Sequence, residues 1–413
     1  MTETAILAAS ALLLFAYAIE NFGRRFKLPA VVLLIVTGLV ARQALDALGL
    51  HYHWVEPVVP VLGTIGLILI VLEGALDLTV TRERRGLIAS AATASLLGFA
   101  VSLAGFGLMF HFLLGFATPG AVLAAIPFAV ISSAVAIPSA AGLPAQPREF
   151  VVYESSLSDI LGVLVFYSWL SADGSLPEFA FDLFGGGALS LLVAIAAAVA
   201  LYYFISQIAG HVRFLPLLAG LVFLYAIGKV LHLSPLIVIL VCGLVLNNPH
   251  LIHFHAKLRA LHNDDYDRTL KDFKGVVAEL TFATKSFFFL LLGYWTDVRT
   301  MLSVEALLVA IAGVALILAT RWIILTGLRQ PAVERLVWIA PRGLITVLLF
   351  LAADHSGKVD GFPFGAVMLI VLATAALTAF AHRGAAQQAP ADAAAAVPAN
   401  APVTSASDPA SLK

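Results

Sequence analysis

The run Glu154-Ser155-Ser156-Leu157-Ser158-Asp159 sets two carboxylates and several hydroxyls inside an otherwise apolar stretch, followed at once by Ile160-Leu161-Gly162-Val163-Leu164-Val165-Phe166. On a helix, Ser155 and Asp159 lie four residues apart and share a face, and Glu154 and Ser158 share the adjacent stripe. Each stripe offers a carboxylate and a hydroxyl. Oxygen donors of this kind suit a hard cation such as Na⁺. A charge at the centre of a membrane helix costs roughly 2.5–3.5 kcal/mol on insertion scales. Two acids in such a place therefore point to a bound cation or a buried partner.

The elements that hold this run must be membrane helices. Of 413 residues, 61% are hydrophobic and only 12% charged, and the mean hydropathy is +0.98. Soluble domains are about 45–50% apolar and about 25% charged. The composition excludes a soluble enzyme, and the net charge of −1 gives no footprint for nucleic acid. Cys242 is the single cysteine, so no intrachain disulfide can form. The start, Met1-Thr2-Glu3-Thr4, lacks a basic region, so no cleaved signal peptide is expected.

At about 20 residues per span, thirteen stretches qualify: 4–20, 28–46, 57–78, 87–114, 119–142, 149–171, 182–206, 212–232, 235–248, 275–296, 303–327, 333–354 and 362–381. With the N-terminus outside, the inner segments collect the lysines and arginines at 24–27, 82–85, 148, 213, 257–274, 329, 335 and 383, and the outer loops keep Arg299 and Lys358. That asymmetry predicts an outer N-terminus and a cytoplasmic C-terminus. The Ala-, Pro- and Ser-rich segment after residue 382 predicts a disordered cytoplasmic tail, 383–413, behind a membrane domain of 1–382. Within the long inner loop, residues 253–259 suggest an interfacial amphipathic helix.

Depth can be counted at 1.5 Å per helical residue. Asp159, Lys285 and Arg342 then fall at one level, near the middle of their spans. Two such cations and at least two acids leave room for one neutralising pair and one working group. Glu73, more than a turn from the inner end of its span, is expected to work with that group. Asp77 and Arg321 lie nearer the inner interface, where snorkelling accounts for them. In Ile131-Ser132-Ser133-Ala134-Val135-Ala136-Ile137-Pro138, the proline is expected to break the helix. The freed carbonyls and the Ser132 and Ser133 hydroxyls then become ligands. Ala340-Pro341-Arg342-Gly343 is a similar interruption in a span running the opposite way. Matched interruptions predict two inverted six-helix repeats, with broken spans five and twelve crossing at the midplane.

These residues resemble the cation/proton antiporters of the sodium–hydrogen exchanger superfamily, in particular the bacterial NhaP-type branch. The resemblance covers 1–382. It rests on Lys27-Leu28-Pro29-Ala30-Val31-Val32 with Gly38, on Leu72-Glu73-Gly74-Ala75-Leu76-Asp77-Leu78, and on the 154–159 run, which is similar to the family's E-S-L-x-N-D. It continues through His232-Leu233-Ser234-Pro235, Asn247-Asn248-Pro249, the run from Phe287 to Gly293, and Pro341-Arg342-Gly343.

The resemblance implies a secondary antiporter that exchanges Na⁺, or else K⁺, for H⁺ by alternating access, without cofactor, as a homodimer in the bacterial inner membrane. It makes Asp159 the ion- and proton-binding carboxylate. Ser155 and Glu73 become its neighbours, and Glu154 with Arg342 a buried structural pair. Lys285 is similar to a basic residue of electrogenic relatives and would modulate transport. Two departures stand out. Ser132-Ser133-Ala134 replaces the family's T-D-P, and Ser158 replaces the Asn or Asp before the working acid. A gated K⁺ efflux channel and an organic-anion carrier are the alternatives. Such channels often carry a cytosolic nucleotide-binding domain, and the anion carrier would want a cationic pocket.

Overall fold

The computed structural model describes residues 2–26, 29–49, 55–207, 214–230, 235–252 and 264–382. The expected amphipathic helix at 253–259, His232-Leu233-Ser234 and the tail at 383–413 lie outside the described residues. Every regular element among the described residues is helical, as backbone groups that cannot reach water require. Among the described residues, eight helices are long and apolar enough to cross a membrane by length and composition, and four shorter apolar helices accompany them. The outward surface is apolar: Leu96, Phe112, Leu192, Ile311 and Trp322 are all exposed.

The helices form two packing groups. In the first, α2 (Ala30–Ala47), α3 (Val55–Asp77), α9 (Gly187–Gln207), α11 (Pro235–Asn247) and α12 (Asp264–Trp295) pack along one another. In the second, α4 (Arg85–Leu114), α5 (Thr118–Ala129), α7 (Ala145–Ser171), α14 (Val304–Gly327) and α17 (Phe364–Leu377) do the same. The first group is drawn tight by glycine. A Cβ on Gly38 would stand 2.1 Å from the Leu290 carbonyl oxygen, and one on Gly293 would stand 2.2 Å from that of Ile35. The backbones of α2 and α12 touch only because neither residue has a side chain. Gly38→Ala must push them apart, at about 1–3 kcal/mol for an overpacked contact. A clear fall in melting temperature in detergent is expected, and an unchanged one would refute the contact.

The ends of α3 and α11 are tied by side chains. The Asn247 and Asn248 amides donate to the Leu78 carbonyl at 2.8 and 2.7 Å, and the Val80 N–H donates to Asn248 Oδ1 at 2.7 Å. The Tyr153 hydroxyl donates to the Thr79 carbonyl at 2.6 Å, which docks α7 on the same turn. At the far end of α7, Lys358 Nζ meets Asp173 Oδ1 at 2.7 Å. That hydrogen bond and charge hold the Asp173 carboxyl below its ordinary range. The link is present at neutral pH and is lost as pH falls through the lowered value.

Both interrupted spans are broken. The first gives α5, an extended turn at 130–132, and the short helix α6 (Ser133–Ser139). The second gives α15 (Val333–Leu336), an extended segment at 339–343, and α16 (Leu344–His355). The chains cross where the Ser132 N–H donates to the Pro341 carbonyl at 2.9 Å. Gly343 allows this approach, since a Cβ there would stand 2.6 Å from Ser132 Oγ. The first break does not fall at Pro138, as its sequence suggested; Pro138 lies inside α6. The chain opens earlier because other groups take its amides. Ile131 N–H donates to Ser158 Oγ at 2.9 Å, Ser132 N–H to Pro341, and Ser133 N–H to Asp159 Oδ2 at 3.2 Å. With three successive donors satisfied from outside, the helical ladder is not needed there.

Candidate cation site

Asp159 sits at this crossing. It is 2% exposed. Its Oδ2 accepts the Ser133 amide, and its Oδ1 has no hydrogen-bond partner among the described residues. Ser132 Oγ, on the broken turn, is likewise buried and unpartnered. Ser155, one turn before Asp159, is fully buried and donates to the Val151 carbonyl at 2.7 Å, which leaves its lone pairs free to accept or ligate. Ser158 is buried too, but its hydroxyl oxygen supports the Ile131 amide. The fold therefore brings Asp159, Ser132, Ser133 and Ser158 to one point, with Ser155 on the same face of α7.

Beside the crossing is a cavity of about 60 Å³. Ser133, Ala134, Ile137 and Pro138 of α6 line one wall, and Ile70, Glu73, Gly74 and Asp77 of α3 with Thr281 and Lys285 of α12 line the other. Glu73 is half-buried, and Asp77, one turn on, is exposed at the rim. Sequence reasoning assigned Asp77 to the interface and did not pick out Thr281; both line this cavity. A four-residue spacing on α3 between Glu73 and Asp77, and on α12 between Thr281 and Lys285, was the available signal. On the other side of the break, Phe106, Phe110, Phe128, Phe350 and Phe362 pack ring to ring, with centroids 4.8–6.2 Å apart.

The expected pair of Glu154 with Arg342 is not formed. Glu154, 1% exposed, is ion-paired with Arg321 of α14, itself 5% exposed. Arg321 Nε also donates to the Leu336 carbonyl at 3.2 Å, so Arg321 is buried and does not snorkel. Arg342 has other work. Its Nε donates to the Phe128 carbonyl at 2.6 Å and its Nη1 to the Ala340 carbonyl at 2.9 Å. Its own amide donates to Thr374 Oγ1 at 2.9 Å. The interruption strips carbonyls of helical donors, and a guanidinium fixed on the crossing strand is the nearest replacement. A cation at the carboxyl end of α5 is also favoured by the helix dipole.

An all-helical integral membrane protein, with two discontinuous helices crossing at a buried acid, is what these elements define. The chain belongs to the transmembrane sodium/hydrogen exchanger family, whose profile matches residues 10–385. Its fold is similar to a solved structure of the sodium proton antiporter MjNhaP1 from Methanocaldococcus jannaschii at pH 8. The TM-score is 0.73 at 19% identity, covering 92% of this chain and 99% of that one. An electron-microscopy structure of the same antiporter matches with a TM-score of 0.70 at 18% identity, covering 97% of this chain and all of the other. No curated protein sequence matches.

Proposed function

We propose that the chain is a secondary antiporter that exchanges a monovalent cation, Na⁺ in the first place, for H⁺ at Asp159. The observation that carries this reading is the Asp159 carboxylate, buried at the crossing, whose Oδ1 has no hydrogen-bond partner among the described residues. A buried carboxylate with an unmade bond is costly. A proton on the carboxyl removes the charge; a cation held by Asp159, Ser132 and Ser155 neutralises it. The two occupants exclude each other, and exclusion at one site is what couples them.

The two helix groups support a reading of alternating access. The group bearing α5, α6 and α7 carries the site, and α3 and α12 form the wall it moves against. With the basic loops inside, the cavity faces the cytoplasm and the phenylalanine cluster closes the outer path. The same reading has the protein in a bacterial inner membrane, N-terminus outside, as a homodimer. The cavity argues against an organic-anion carrier, because ligand pockets for organic molecules are about 300–1,000 Å³. The closed aromatic side and the buried acid favour a carrier over a channel.

Competition sets the pH dependence. In proteoliposomes, the apparent KM for Na⁺ should rise as pH falls, while the rate at saturating Na⁺ stays the same, because excess cation displaces the proton. A saturating rate that falls with pH at constant KM would mean separate sites and would contradict the proposal.

A further inference from the structure

The end of the last span carries polar groups at Thr374, Thr378 and His382, spaced by four residues in an apolar run. Thr374 and Thr378 are buried, and buried polar groups need partners. Each of the three finds one on a broken span. Thr374 Oγ1 accepts the Arg342 amide at 2.9 Å. Beyond α17 the chain closes in a tight helical turn, Thr378–His382. The Thr378 and Ser139 hydroxyl oxygens are 3.1 Å apart, and His382 Nε2 is 2.8 Å from the Ser139 carbonyl oxygen. A carbonyl can only accept, so Nε2 carries the proton and donates. Ser139 is the last residue of α6, and a carbonyl in the last turn of a helix has no donor within the helix. His382 supplies it from outside. The ring also has a seat on the chain just after α6, since a Cβ on Gly142 would stand 3.0 Å from His382 Cε1 and Nδ1. The closing turn is braced against the second broken span as well, where the Phe380 and Trp338 ring centroids lie 5.3 Å apart.

α6 lies between the two helix groups, packed on α7 on one side and α3 on the other. Its first residue, Ser133, gives its amide to Asp159, and its outer end is fixed where the Ser132 N–H meets the Pro341 carbonyl. Resting on the antiport reading, we propose that His382, with Thr378, is a positioning residue of the cation site: it latches the inner end of α6 to the last span, so that α6 travels with α7 and not with α3. The latch keeps the Ser133 amide on Asp159 and the α6 wall of the cavity in place while the site reorients. A helix of seven residues with a proline inside it makes few hydrogen bonds of its own. A donor from outside, at its free end, therefore has a large say in where it stands.

The test compares wild type with His382→Ala, His382→Phe and His382→Gln in proteoliposomes at one fixed pH. Phenylalanine keeps a ring over Gly142 but has no donor; glutamine places an amide N–H close to where Nε2 stands. His382→Ala and His382→Phe should each raise the KM for Na⁺ by about fivefold, the effect of one lost hydrogen bond, with the rate at saturating Na⁺ unchanged. His382→Gln should keep the wild-type KM. Hydrogen exchange of the backbone amides at 134–141 should be faster in the first two variants and as slow as wild type in His382→Gln. A wild-type KM in His382→Ala would overturn the proposal, as would a raised KM that His382→Gln fails to restore. A lower melting temperature and a lower saturating rate at unchanged KM would overturn it too, because that is what loss of structure alone produces. Absence of any cation-coupled proton flux in wild type would instead defeat the antiport reading, and the exchange rates at 134–141 would still decide whether the latch exists.

Discussion

Arg321→Ala is expected to lose about 3–5 kcal/mol of stability, because it leaves a buried Glu154 charge without a partner. Glu154 is 1% exposed and cannot reach water. The variant also strips the Leu336 carbonyl of its donor from Arg321 Nε. A large fall in melting temperature in detergent is the readout. Replacing both partners together, as in Glu154→Leu with Arg321→Met, should recover much of the loss, since a buried pair contributes little over an apolar filling of similar volume. If Arg321→Ala melts with wild type, Glu154 has another partner and the pairing described above is wrong. Arg342→Ala should also destabilise, through a different route. It unpairs the Phe128 and Ala340 carbonyls, at about 1–3 kcal/mol for each buried group left unsatisfied. Glu154→Gln should leave the Arg342 loss unchanged, because the two residues do not share a bond.

This exchange of arginines shows where sequence reasoning ran out. Depth counting places Glu154 and Arg342 at a similar level, and opposite charges at one level invite pairing. Counting depth does not reveal that the chain at 339–343 is extended. Backbone outside a helix carries free carbonyls, and Arg342 is taken by that of Ala340 in this segment and by that of Phe128 at the end of α5 before any carboxylate can reach it. Arg321 looked able to snorkel because only its distance from the helix end was considered. Which face of α14 turns inward is a tertiary fact.

The broken helix shows the same limit. Proline marks a missing donor, so Pro138 was the visible candidate for the break. The true break at 130–132 is made by acceptors elsewhere in the chain: Ser158, Pro341 and Asp159. Much else was legible because its signal is local. Apolar runs of span length located the helices, and two interruptions in opposed spans foretold a crossing. The 154–159 run marks two carboxylates in an apolar span, and only the family resemblance separates Asp159 from Glu154. The cavity wall was half legible. Glu73 and Lys285 stood out as charges in apolar runs, whereas Asp77 and Thr281 become part of the site only once α3 and α12 are packed together.

The most direct test of the account is Asp159→Asn. Asparagine keeps the shape of the side chain, and its amide oxygen can still accept the Ser133 N–H, so the crossing should survive and the protein should remain folded in the membrane. The side chain can no longer take a proton or balance a cation. In proteoliposomes loaded with a pH-sensitive dye, a Na⁺ gradient should drive proton movement in wild type, while Asp159→Asn should fall to the level of protein-free vesicles. Wild-type exchange in folded Asp159→Asn would contradict the claim that one buried carboxylate carries both ions.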